Sequence, residues 1–141
     1  PRQARPRAGH VRYFTRHSAR NSLVCTLQAQ DIEVGLVAKL AGHAAVDAVD
    51  INSNPLARLR MDSLTLAAEI QRRTGLETVP HITPRDASLM GLQSQLLGAW
   101  LGGVRNLFAV TGDPSQLGDY PGVHDVYHVD IFELVRSLSR Q

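Results

Sequence analysis

Past residue 20 the apolar pattern of the chain switches repeatedly between a period of two and a period near 3.6, the signature of strands alternating with helices. Ser22–Gln28 (SLVCTLQ) is short and rich in β-branched residues, and it reads as a first strand. Asp31 is placed to cap a helix running to about Ala41, with Val34, Val37 and Ala41 on one face and Gly42 at its end. Ala45–Ile51 (AVDAVDI) alternates as a strand does, and the turn Asn52-Ser53-Asn54-Pro55 follows. A long helix is then expected to Thr74, buried through Leu59, Leu66, Ala67 and Ile70 and stopped by Gly75. Thr78–Thr83 (TVPHIT) reads as a third strand. Pro84 stands where a first helical residue belongs, with Thr83 as its cap. That helix would carry Leu89, Leu92, Leu96 and Trp100 inward and end at Gly102-Gly103. Asn106–Thr111 (NLFAVT) makes a fourth strand. A last helix begins at Asp130, with Glu133 completing a capping box and Ile131, Leu134, Val135 and Leu138 facing the core.

The result is an α/β chain of four βα units, whose strands should run parallel through right-handed crossovers. Two architectures suit it: a small open doubly wound sheet, or the first half of a (βα)8 TIM barrel. No GxGxxG follows the first strand and no GxxxxGK[ST] occurs, so nucleotide-binding open sheets lack their phosphate cradle here.

Charge divides the chain into two parts. Residues 1–20 hold six arginines (Arg2, Arg5, Arg7, Arg12, Arg16 and Arg20) and no acid, while the rest holds nine basic against thirteen acidic residues, a net of −4. Residues 1–20 are therefore expected to be a basic, flexible arm and 21–141 the folded domain. Such an arm can bind phosphates, but Tyr13 and Phe14 are its only aromatic residues, and a solvated leader or linker explains it as well. Cys25 is the single cysteine, which excludes a disulfide framework and a CxxC pair and suits a reducing, cytoplasmic setting. It reads as an inert core thiol. The longest apolar runs fall well short of the roughly 18 residues of a membrane span.

In either architecture chemistry belongs at the carboxyl ends of the strands. Those ends are Gln28-Ala29-Gln30, the Asn52–Pro55 turn, His81-Ile82-Thr83 and Thr111-Gly112-Asp113-Pro114. The last opens a loop of about sixteen residues, and connections that long within a compact domain tend to be functional. Each candidate also has a plainer explanation. Asp113 can cap a turn before Pro114, His81 can be a hydrogen-bonded structural histidine, and Asp130 can be only a helix cap. His124 and His128 have i, i+4 spacing, but no third ligand converges on them, so no metal is expected.

The string PHITPRDASLMGLQSQLLGAWLGGVRNLFAVTGDPSQLGDYPGVHDVYHVD resembles the methylenetetrahydrofolate reductase family, particularly its form fused behind a homocysteine methyltransferase domain. AVDAVDINSNPLARLRMDSL is similar to the same family's second strand and the helix after it. The resemblance runs from about Ser22 to Arg140 and covers the first half of the family's barrel. It implies a TIM barrel binding FAD, with hydride passing from NADH or NADPH to flavin and then to the folate substrate, in one-carbon metabolism and methionine biosynthesis. It places His81, Thr83, Thr111, Gly112, Asp113, Tyr127 and Asp130 on flavin-side positions, and Asp113 among the catalytic ones.

Two departures follow from the same resemblance. Aligning TLQ with the family's TVE puts Gln28 where the family has its proton-donating glutamate, and an amide has no proton to give at neutral pH. Four strands also cannot close a barrel, and their edges invite pairing. A homo-oligomer, a second chain completing the barrel, or the rest of a longer parent polypeptide is therefore expected. One alternative is a relative that binds or assembles without catalysing. Another, an open-sheet domain engaging nucleic acid, has the least support.

Overall fold

The computed structural model describes residues Arg12–Tyr13, Val24–Leu27 and 48–139, the first two as backbone only. Among the described residues five strands form one sheet: β1 (Arg12–Tyr13), β2 (Val24–Leu27), β3 (Ala48–Ile51), β4 (Glu77–Ile82) and β5 (Asn106–Ala109). Their order is β1-β5-β4-β3-β2 and every pairing is parallel. From β2 to β5 the order follows the sequence with no reversal, unlike a doubly wound sheet, which turns back at a switch point. The arrangement is compatible with consecutive strands of a TIM-like barrel. The expected helix from Asp31 to Ala41 lies outside the described residues, as does Gln28. Within the expected arm, Arg12 and Tyr13 pair with Asn106 and Leu107 on the outer edge of β5.

Among the described residues three helices pack on one face of this sheet: α1 (Ser63–Thr74), α2 (Leu89–Leu101) and α3 (Ile131–Leu138). The shared core joins Val49, Ile51, Ile82 and Leu107 of the strands to Leu64, Leu66, Ala67 and Ile70 of α1. It continues through Leu92, Leu96 and Ala99 of α2 and Leu134 and Leu138 of α3. Side chains alternate along a strand, so Asp50, His81 and Phe108 stand on the opposite face. Helix ends are set by local chemistry. The Asp62 carboxylate accepts from Thr65 N at 2.7 Å to start α1, and Gly75, at φ 73°, ends it in the left-handed region that only glycine adopts freely. Asp130 and Glu133 form the expected capping box of α3.

Several expectations are corrected by tertiary hydrogen bonds. The helix expected after Pro55 starts eight residues later, at Ser63. A single 3₁₀ turn, Pro55–Ala57, intervenes, with Asn54, Leu56 and Ala57 all at positive φ. The backbone amides of this stretch are taken from outside: Leu56 N donates to Asp113 Oδ2 and Leu59 N to Asp119 Oδ2, both at 2.7 Å. Leu59, expected in the core, is exposed as a result. Likewise α2 begins at Leu89 with Ser88 as its cap, and Pro84 is not its first residue. The carbonyls of Pro84 and Arg85 accept from Tyr127 N and Val126 N, at 3.1 and 2.7 Å, so they cannot open a helix. Trp100 is not core but 40% exposed, with the Arg105 guanidinium 3.6 Å above its ring. Val135, also expected in the core, is 37% exposed. At Gly102 a Cβ would stand 2.7 Å from Ala68 Cβ, so glycine there permits the close approach of α2 to α1.

The core assignment gives a contrast in stability. Ile70→Ala, at a fully buried site, is expected to cost about 2–5 kcal/mol. Leu101→Ala, on the outer face of α2, is expected to change stability by less than about 0.5 kcal/mol. Chemical denaturation of the two variants checks both values.

Candidate functional site

The parallel strands deliver three connections to one end of the sheet: residues 52–62 after β3, 83–88 after β4 and 110–130 after β5. These connections are tied to one another. Thr83 is buried, and its hydroxyl donates to the carbonyl of Thr111 at 2.8 Å. Tyr127 OH donates to the same carbonyl at 3.2 Å. Asp113 receives the amide of Leu56 from the β3 connection. His81, Thr83, Thr111, Gly112, Asp113 and Tyr127, the candidates on or after β4 and β5, therefore stand along one rim. Asp130 is farther along the chain, and its side chain is engaged as the cap of α3.

At the centre of this rim is a residue the sequence did not single out. Arg85 is 3% exposed, and its guanidinium makes a bidentate pair with Asp86, Nε to Oδ1 at 2.5 Å and Nη2 to Oδ2 at 2.6 Å. Nη1 donates to the carbonyl of Asp113 at 2.7 Å. Asp86 also accepts from Asn54 Nδ2 at 3.2 Å, and Asn54 Oδ1 accepts from Arg60 N at 2.8 Å. One ion pair thus holds all three connections. Burial would lift the Asp86 carboxyl, but hydrogen bonds from Arg85 and Asn54 outweigh it and hold it below the usual aspartate range. The same pairing with Asp86 raises Arg85 further. The sequence signal for this pair is weak, because adjacent Arg and Asp look like ordinary charges in a first helical turn.

Gly112 has φ 83°, and a Cβ there would lie 2.5 Å from Thr83 Oγ1. Its glycine is required by the packing of Thr83 beneath the turn. Partial burial, with the Asp125 carboxylate near, raises the Tyr127 phenol above its ordinary value, so it remains a donor at neutral pH. On the face opposite the helices, Asp50 Oδ1 lies 2.9 Å from His81 Nε2, and the imidazole packs against Phe108 with ring centroids 4.9 Å apart. A cavity of about 250 Å³ lies beside the rim, lined in part by Asn54, Arg85, Asp86, Tyr120, His124 and Asp125. Small-molecule sites are usually about 300–1,000 Å³, so this cavity alone does not enclose a whole dinucleotide. Among the described residues no group of three or more His, Cys, Asp or Glu side chains is placed to hold a metal ion, and no helix is long and apolar enough to cross a membrane.

Comparison with known proteins covers most of this region. The family model for methylenetetrahydrofolate reductase matches residues 32–141. A 5,10-methylenetetrahydrofolate reductase of Pectobacterium carotovorum is 38% identical over 70 residues, which is 50% of this chain and 22% of that protein. The enzyme of the same name from Buchnera aphidicola (subsp. Schizaphis graminum) is 31% identical over 81 residues, 57% of this chain and 26% of that protein. That of Salmonella typhimurium is 33% identical over 70 residues, 50% of this chain and 23% of that protein. The matched stretch thus spans about a quarter of the length of these relatives. No solved structure gives a significant match.

Two outcomes test the rim. Gly112→Ala is expected to destabilise the protein by about 1–3 kcal/mol, through its positive φ and the clash with Thr83; thermal unfolding reads it. The Asp86 carboxyl is depressed by folding, so its stabilisation is present above the ordinary aspartate value of 3.8 and is lost as pH falls through the lower folded value. Wild type should therefore exceed Asp86→Asn in stability at neutral pH, and the gap should narrow as pH falls below the ordinary aspartate value of 3.8.

Proposed function

Because the chain belongs to the methylenetetrahydrofolate reductase family, we propose that the β3–β4–β5 rim forms part of a flavin site in a reductase of 5,10-methylenetetrahydrofolate. The observation that carries this reading is the convergence of Thr83, Thr111, Asp113 and Tyr127 on one rim inside the stretch the family model matches. The product would be 5-methyltetrahydrofolate, with NADH or NADPH as reductant, in a cytoplasmic protein.

The side chains present suit an amphipathic aromatic ring. Phe108 and Val110 supply partly buried apolar surface on the β5 side. Among the described residues, Asp113 Oδ1, the Thr111 hydroxyl and His81 Nδ1 keep hydrogen-bonding capacity that no protein group uses. FAD bound there would supply hydride transfer between reductant and folate. The chain's own part is to orient and to exclude movement. Thr83 and Tyr127 clamp the Thr111 carbonyl from two sides, and Arg85 fixes the Asp113 carbonyl. The Asp113 carboxylate, anchored through Oδ2 to Leu56 N, is left with Oδ1 to accept from an amino or imino group of a ligand. The remaining wall of the site would come from further barrel strands, in a second copy of the chain or in additional polypeptide.

Gln28 favours a second reading. An amide cannot donate the proton that opens the folate's five-membered ring, and a relative lacking that acid would bind flavin or folate as an assembly subunit. In the assembled protein, FAD is expected to co-elute with the chain and retain its visible absorption, and Asp113→Ala is expected to weaken retention. Gln28→Glu is expected to raise the reductase rate by on the order of 10²-fold or more. Rapid turnover of the wild type, unchanged by that substitution, would show that the acid lies elsewhere. Absence of FAD binding in the assembled protein would remove the flavin reading.

A further inference from the structure

Asp50 and His81 form a pair that neither the resemblance nor the rim network accounts for. They come from neighbouring strands, β3 and β4, on the face opposite the helices, with Asp50 Oδ1 2.9 Å from His81 Nε2. Their side chains are 19% and 16% exposed, so the contact is largely shielded from water. Its geometry is fixed by backbone. Asp50 is held by the register that pairs it with Thr26 on one side and Val79 on the other. His81 is paired with Phe108, whose ring packs against the imidazole. The His81 carbonyl is held as well, by Ser63 Oγ at 2.7 Å.

A carboxylate only accepts hydrogen bonds. The nitrogen facing it must therefore carry the proton, and in the neutral imidazole the other nitrogen is then an acceptor. We propose that Asp50 is a positioning residue that locks His81 in the Nε2–H tautomer, so that Nδ1 is presented as an acceptor to an N–H or O–H donor of the ligand. This rests on the reading of the rim as a flavin site. It adds the donor polarity that the ligand must show to His81 and names the residue that enforces it. Without the carboxylate, nothing among the described residues selects one tautomer over the other.

Long-range ¹H–¹⁵N correlation spectra of the histidine rings test this in the absence of any flavin, with His81→Gln used to assign the signals. In the wild type, His81 should show a protonated Nε2 and an unprotonated Nδ1 at a pH where the ring is neutral. Asp50→Asn keeps the shape but can either donate or accept, so it should give a mixture of tautomers. Asp50→Ala should do the same, and Asp50→Asn alone suffices if the alanine variant fails to fold. A His81 protonated on Nδ1 in the wild type, or an Nε2–H signal unchanged in both variants, would overturn the proposal. FAD titration by fluorescence reads the presented acceptor. Asp50→Asn should weaken binding about threefold to tenfold, as the loss of one well-made hydrogen bond does, and equal affinity would count against it. Failure of the wild type to bind FAD, with the tautomer locked, would instead strike the flavin reading and leave the dyad intact.

Discussion

A guanidinium out of water has to be matched on nearly all sides or it destabilises the fold around it. Arg85 meets that demand with one carboxylate and one carbonyl, and those partners lie on different parts of the chain. Satisfying this single charge brings the β4 connection against the β5 connection and, through Asp86 and Asn54, against the β3 connection. The carbonyls of Pro84 and Arg85 then take up the far end of the long loop at Val126 and Tyr127. The positions of Thr83, Asp113 and Tyr127 follow from this network. A parallel sheet brings loops to one end of the molecule, but it does not by itself lock them to one another.

The parts of the fold legible in the sequence were those decided by a residue's own chemistry. Gly75 at positive φ, the Gly102-Gly103 stop and the Asp130–Glu133 capping box act within a turn of where they stand. The positions of β2 to β5 were legible too, because alternation survives whatever packs above it, whereas β1 at Arg12–Tyr13 was not. The misplaced helix starts share one cause. Pro55 and Pro84 both have the φ that a first helical turn needs, and in both places backbone groups bond instead to residues distant in sequence. Asp113 is 57 positions from Leu56, and no local pattern could announce that it takes the amide. The same holds for Leu59 and Trp100, whose helical spacing suggested burial that the tertiary arrangement does not supply.

The candidate site divides in the same way. Thr83, Thr111, Gly112, Asp113 and Tyr127 were visible because strand ends and a long loop point to them, and because a family pattern runs through them. The roles of Arg85, Asp86, Asn54 and Asp50 were not visible, although Asn54 stands in a strand-end turn, since each matters through a partner on another element. Gly112 was legible as a position but not for its packing: Thr83 beneath the turn leaves no room for a side chain there. Gln28 and the helix expected after it lie outside the described residues, so the first strand's chemistry rests on sequence alone.

Three connections behave as one rigid rim because one ion pair, with the Arg85 side chain buried and Asp86 partly exposed, holds them. Amide hydrogen exchange resolved to single residues tests it most directly. The amides of Leu56, Val126 and Tyr127 each bond across connections rather than within one. They should be protected to a similar degree in the wild type and lose protection together in Arg85→Met, while the α1 amides stay protected. Independent exchange of the three, or their unchanged protection in Arg85→Met, would mean that the ion pair does not hold the rim together.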